Sequence, residues 1–199
     1  CTNLIYKIAL DQNIKINQSA AENIFQGLLS DTLGLTTAGV TADTFRVAAH
    51  LTELGADINK LEENRKEYMK KSRRILDYKA DLIKRIEYSL DDKLSTIHIP
   101  WSDITEFSDE YNPNALILEE MKMVEGVEVA VAIKTYPDGK VTGKIRTSKP
   151  IADKVAGYFG GGGHPFAAGF RTYDTTYDDV LRDLVFCCND LLFKSEETN

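Results

Sequence analysis

The chain has 199 residues, 43% hydrophobic and 28% charged, with 24 basic and 31 acidic side chains and a net charge of -7. That supplies a core for one large or two small globular domains, and the acidic balance excludes coating of nucleic acid by bulk charge. Cys1, Cys187 and Cys188 make neither a disulfide framework nor a zinc spacing, so a reducing cytoplasm is expected.

The opening "CTNLIYKIAL" reads as the middle of a helix, so a preceding part of the protein is expected upstream of Cys1. "SAAENIFQGLLSDT" carries a capping-box pattern, with Ser19 as N-cap and Glu22 three residues on. Ala20, Ile24, Leu28 and Asp31 then share one helical face. A carboxylate facing a core is costly unless it is paired, binds a metal, or sits near solvent at the helix end. A second helix starts after Thr41, carries Phe45, Ala48, Ala49 and Leu51, and stops at Gly55. From Ile58 to Leu90 no glycine or proline interrupts the chain. A thin apolar stripe of Ile58, Leu61, Tyr68, Ile75, Ile83, Ile86 and Leu90 predicts one long connector helix, ending at Asp91 and Asp92.

A second domain follows. "LSTIHIPW" reads as a strand, and "NALILEEMKMVEG" as a helix ending near Gly126. "VEVAVAIKTY" and "KVTGKIRTS" alternate around "PDG" and form a hairpin. "PIADKVAGYF" is a short helix with Pro150 in its first turn; "AAGFRTY" is a strand; "TYDDVLRDLVFCCNDLLF" is a closing amphipathic helix.

Between that short helix and strand stands "GGGGHPFAAG". Each glycine costs roughly 0.5–1 kcal/mol relative to alanine, so the run needs a use. Either it is a plain glycine-rich turn with a surface histidine, or its amides form an anion-binding concavity. In the second case His164 could donate to a phosphate, and Arg146 and Ser148 of "KIRTS" could pair alongside, arginine giving a bidentate grip. The glycines end a helix rather than open one, which excludes the dinucleotide fingerprint, and no Gly-Lys-Ser/Thr follows for a Walker loop. His50, His98 and the "KKSRR" run at Lys70–Arg74 read as ordinary structural or solvated residues, and Trp101 as a core or interdomain contact.

"FGGGGHPFAAGF" with "GKIRTS" upstream resembles the C-terminal motif of DHH-family phosphoesterases, a GGGH followed by AAG. "GLLSDTLGLTTAGVTADTFRVAAHLTELGAD" resembles the last motif of that family's catalytic domain, and "CTNLIYKI" the helix after its Asp-His-His signature. Thr36 stands where relatives often carry arginine. The resemblance implies an α/β protein: residues 1–57 ending a DHH catalytic domain, 58–92 a connector helix, and 93–199 a smaller, mixed-sheet DHH-associated domain. It implies Asp31 as a ligand of a two-manganese site, whose Asp-x-Asp and Asp-His-His partners would lie upstream of Cys1, so this chain is expected to be inactive alone. It implies that Arg146, Ser148, Gly161, Gly162, Gly163 and His164 bind substrate. The implied activity is manganese-dependent hydrolysis of short oligoribonucleotides, pAp or cyclic dinucleotides. The implied partners are short RNA or a nucleotide and no membrane, with a homodimer also admitted. The competing reading is a non-catalytic nucleotide- or RNA-binding module.

Overall fold

Four helices, Thr2–Asp11 (α1), Gln18–Asp31 (α2), Ala42–Glu53 (α3) and Ile58–Met69 (α4), belong to the first of two units, Cys1–Lys70. The computed structural model describes residues 2–37 and 39–193, so Cys1 lies outside the described residues. The core of this unit gathers Tyr6, Ala21, Phe25, Leu28, Val47, Ala48 and Leu51. The cap of α2 is Asn17, not Ser19: the Asn17 side chain accepts from the Ala20 amide at 2.9 Å. The buried face is correspondingly Ala21, Phe25 and Leu28, and Asp31 is exposed at the helix end. α3 starts as expected, with Thr41 and Thr44 capping each other's backbone, and stops at Gly55, whose φ of +97° suits glycine. Its Phe45, however, is 55% exposed.

The single connector helix expected from Ile58 to Leu90 is two helices. Lys70 takes extended backbone at ψ 142°, and Ser72 caps a new helix, Arg73–Lys84 (α5), by accepting from the Ile75 amide at 3.2 Å. A serine at that place satisfies an amide that helix geometry leaves open. α5 buries Ile75, Tyr78 and Leu82 in the second unit, Lys71–Asn199. Strand Glu87–Ser89 (β1) follows, then a turn in which Leu90, Asp91 and Asp92 all have positive φ.

The second unit is built on a six-stranded mixed sheet of order β1-β2-β3-β4-β6-β5. Its further strands are Leu94–Ile99 (β2), Val129–Thr135 (β3), Val141–Thr147 (β4), Gly162–His164 (β5) and Ala167–Thr172 (β6). β2 and β3 are parallel and the other neighbours antiparallel. Helices Trp101–Phe107 (α6), Pro113–Lys122 (α7), Ala152–Tyr158 (α8) and Tyr177–Phe193 (α9) complete it. Pro150 precedes Ile151, the N-cap of α8, and so stands outside the helix. Trp101 opens α6 and is 43% exposed rather than core.

Strand alternation sends two sets of side chains to opposite faces. Leu94, Val129, Val131, Ile133, Val141, Ile145, Ala168 and Phe170 pack against α8 and α9. Ile97, Ile99, Ala130 and Ala132 pack against α5 and α7, through Ile75, Leu82, Ile117 and Met121. Each valine, leucine, isoleucine, methionine or phenylalanine among them stabilises the fold by about 1.5–3 kcal/mol on burial. The second set belongs to β2 and β3. On β4, β6 and β5 the same face presents exposed and half-buried residues instead.

Candidate functional site

The glycine run divides its work. Gly160 ends α8 with φ +71°, and the Gly161 amide donates to Ala156 O at 2.8 Å, closing the helix. Gly162 and Gly163 are strand, not the expected loop: β5 pairs with β6 through Gly162–Gly169, Gly163–Ala168 and His164–Ala167. A β-carbon on Gly161 would sit 2.3 Å from Gly169 O, and one on Gly163 2.6 Å from the Ala168 α-carbon. Close backbone approach therefore requires these glycines, and two of the amides expected to line an anion concavity instead cap α8.

Pro165 and Phe166 turn the β5–β6 hairpin. The turn is tied down by Thr147, whose amide donates to Phe166 O at 3.1 Å, and by the Ala152 amide, which donates to Pro165 O at 2.7 Å. His164 is thereby fixed at the sheet edge, exposed, on the same face as Ala167 and Arg146. The register runs His164–Ala167–Arg146–Ala130 straight across four strands. Histidine and arginine are two strand spacings apart, about 10 Å, with only an alanine between them. Arg146 Nε lies 3.7 Å from Glu119 Oε1 of α7. So exposed a pair contributes little, and an anion could displace the carboxylate. Ser148 follows just beyond β4, exposed, its amide donating to Glu128 O at 3.0 Å.

A cleft of about 570 Å³ opens along the same face. It is lined by Asn112, Asn114, Lys134, Lys144 and Arg171, with Tyr136 and the Gly160–Gly161 backbone. Lys134 is only 8% exposed, and its ammonium donates to Asn112 Oδ1 at 3.1 Å. Burial, with the nearby Lys144 charge second, holds its pKa below the usual lysine value. Among the cations of this face, Arg146 is expected from the sequence, and Lys134, Lys144 and Arg171 are not. The signal was present: Lys144 and Arg146 stand two apart in a strand, hence on one face.

Asp31 belongs to the other unit. Its carboxylate accepts from Thr2 Oγ1 at 3.0 Å. Among the described residues no group of three or more His, Cys, Asp or Glu is placed to hold a metal ion. The residues present supply one candidate carboxylate and do not by themselves fit a metal pair. Among the described residues, too, no helix is long and apolar enough to cross a membrane.

Comparison with known proteins gives three findings. Residues 104–188 match the DHHA1 domain family. The chain is 24% identical over 184 residues to a probable bifunctional oligoribonuclease and PAP phosphatase of Streptococcus mutans, covering 91% of this chain and 57% of that protein. The crystal structure of an exopolyphosphatase-related protein from Bacteroides fragilis superposes with a TM-score of 0.81 at 17% identity, covering 97% of this chain and 57% of that one, and shares its fold. The chain thus spans little more than half the length of the relatives it matches.

Proposed function

We propose, from the premise that residues 104–188 form a DHHA1 domain in a chain distantly related to the DHH-family phosphoesterases, that the protein hydrolyses phosphate ester bonds of short oligoribonucleotides, pAp or cyclic dinucleotides. In this reading the second unit grips the nucleotide. The observation that carries it is the cross-strand row placing His164 and Arg146 on one face of the sheet, with only Ala167 between them. Arg146 offers a planar fork to phosphate oxygens, and His164 a ring N–H. Ser148 adds a hydroxyl beside them. Gly162 and Gly169 keep the floor low, so a ligand can lie against the backbone. Holding the substrate this way supplies positioning, which can lower a barrier by several kcal/mol.

Asp31 enters the reading as a manganese ligand, with the remaining ligands upstream of Cys1; the described residues do not complete such a site. The second reading, a nucleotide-binding module without catalysis, draws on the same fact, since every gripping residue lies in the second unit. Turnover separates the two. In a longer form with the upstream residues, Asp31→Asn should abolish manganese-dependent hydrolysis of pAp; retained turnover removes Asp31 from the metal site.

The grip is tested on the chain as it stands, by calorimetric titration with pAp. Arg146→Ala and His164→Ala should each weaken binding about tenfold or more with little change in Tm. Gly162→Ala is the sharper probe. A methyl there meets nothing within 4 Å and no positive φ forbids it, so stability should hold while the methyl on the His164 face weakens binding. Unchanged affinity in all three variants overturns the site.

A further inference from the structure

The cleft beside the row carries a further reading, which rests on the nucleotide grip proposed above. Counted along the strands, this face has three levels. The first is His164, Ala167 and Arg146; the second is Gly162, Gly169 and Lys144; the third is Arg171, Thr142 and Lys134. Each level is about 7 Å from the next. Cations therefore continue past the first level for a further two, in a protein whose net charge is -7. None of the residues lining the cleft is acidic.

Two more observations point to a ligand there. Asn114 is 8% exposed, and its Oδ1 is buried with no hydrogen-bond partner. An orphaned buried acceptor is costly, and a donor entering the cleft would satisfy it. Lys134 is held buried with its charge disfavoured, a state that an entering anion relieves. At the same end stands an aromatic wall. Tyr136 lines the cleft, with its ring 5.6 Å from that of Trp101 and the Lys140 ammonium 3.9 Å over it. The Trp101 indole is 43% exposed.

We propose that this cleft is a second nucleotide subsite, which makes the protein bind a chain of at least two nucleotides more tightly than a mononucleotide. Lys144, Arg171 and Lys134 take the phosphate that links the second nucleotide to the first. Asn114 Oδ1 accepts from a ribose hydroxyl. The Tyr136–Trp101 wall receives the second base, the pairing of basic groove and aromatic side chains that suits single strands.

The test titrates the whole chain with AMP and with the dinucleotide pApA, over a series of salt concentrations. The dinucleotide should bind about tenfold tighter or more. Arg171→Ala, at the level farthest from His164, should collapse that ratio to about one and reduce the salt slope for pApA by about one phosphate contact. Trp101→Ala should lower the ratio without changing the slope. Equal affinity for the two ligands in the unaltered chain, or a ratio untouched by Arg171→Ala, overturns the second subsite and leaves the His164 grip standing. AMP binding untouched by His164→Ala overturns the grip, while a ratio still dependent on Arg171 upholds the cleft. Binding of neither ligand overturns both.

Discussion

At the scale of single residues, the cleft trades stability for charge. Lys134 is buried with its pKa depressed, so its charge is held less favourably in the folded chain than in the unfolded one. Lys134→Met should therefore leave stability unchanged or raise it by up to ~1 kcal/mol, a few degrees in Tm, while weakening pApA binding. Thermal melts and titrations of the same variant check both halves. His98 behaves in a related way. It is stacked on Tyr177 with ring centroids 4.2 Å apart, its Nε2 lies 2.9 Å from Thr135 Oγ1, and burial, then the Arg85 charge, lowers its pKa. A depressed folded pKa means stability that is present above the ordinary value of 6.5 and lost as pH falls through the folded one. Tm should drop below about pH 6.5, and less steeply in His98→Gln. Arg146 and His164 were legible in the sequence as residue types in a motif. Lys134, Arg171 and Asn114 were not, because an isolated lysine in a strand says nothing of its depth, and Asn114 gains meaning only from the missing partner of its Oδ1.

At the scale of elements, the glycines are explained by pairing. Gly161→Ala would drive a methyl onto the Gly169 carbonyl and the Phe170 backbone. Neither can move without opening β6, so the variant should lose about 2 kcal/mol or more in denaturant melts. Ser72→Ala should cost about 1 kcal/mol through the lost cap of α5. The hairpin β3–β4, strand β6 and helix α9 were readable from alternation and helical period, because each has its own apolar pattern. β5 was not: glycine is a poor strand former, and its extended conformation comes from the partner β6. On α2 the cap is Asn17 rather than Ser19, and the buried face is Ala21, Phe25 and Leu28, which leaves Asp31 exposed at the helix end. Cap competition between neighbouring polar residues leaves no trace in the hydrophobic period.

At the scale of the whole molecule, the chain divides at Lys70, inside what its composition marks as one helix. α5 is drawn into the second unit by Ile75, Tyr78 and Leu82. A chain of residues 71–193 should thus fold cooperatively by itself, seen as a single melting transition, and one starting at residue 93 should not, since it would leave the α7 side of the sheet without its α5 cover. The sequence by itself determined a helical region followed by an α/β region, the strand and helix types of the second one, and a glycine–histidine motif with an arginine strand upstream, because periodicity and turn chemistry are local. Only the tertiary structure decided that His164 and Arg146 share one row. It alone decided that three more cations and an orphaned asparagine line a cleft beside them. Those are facts of strand register and of side-chain burial, and both are set by contacts between residues far apart in the chain.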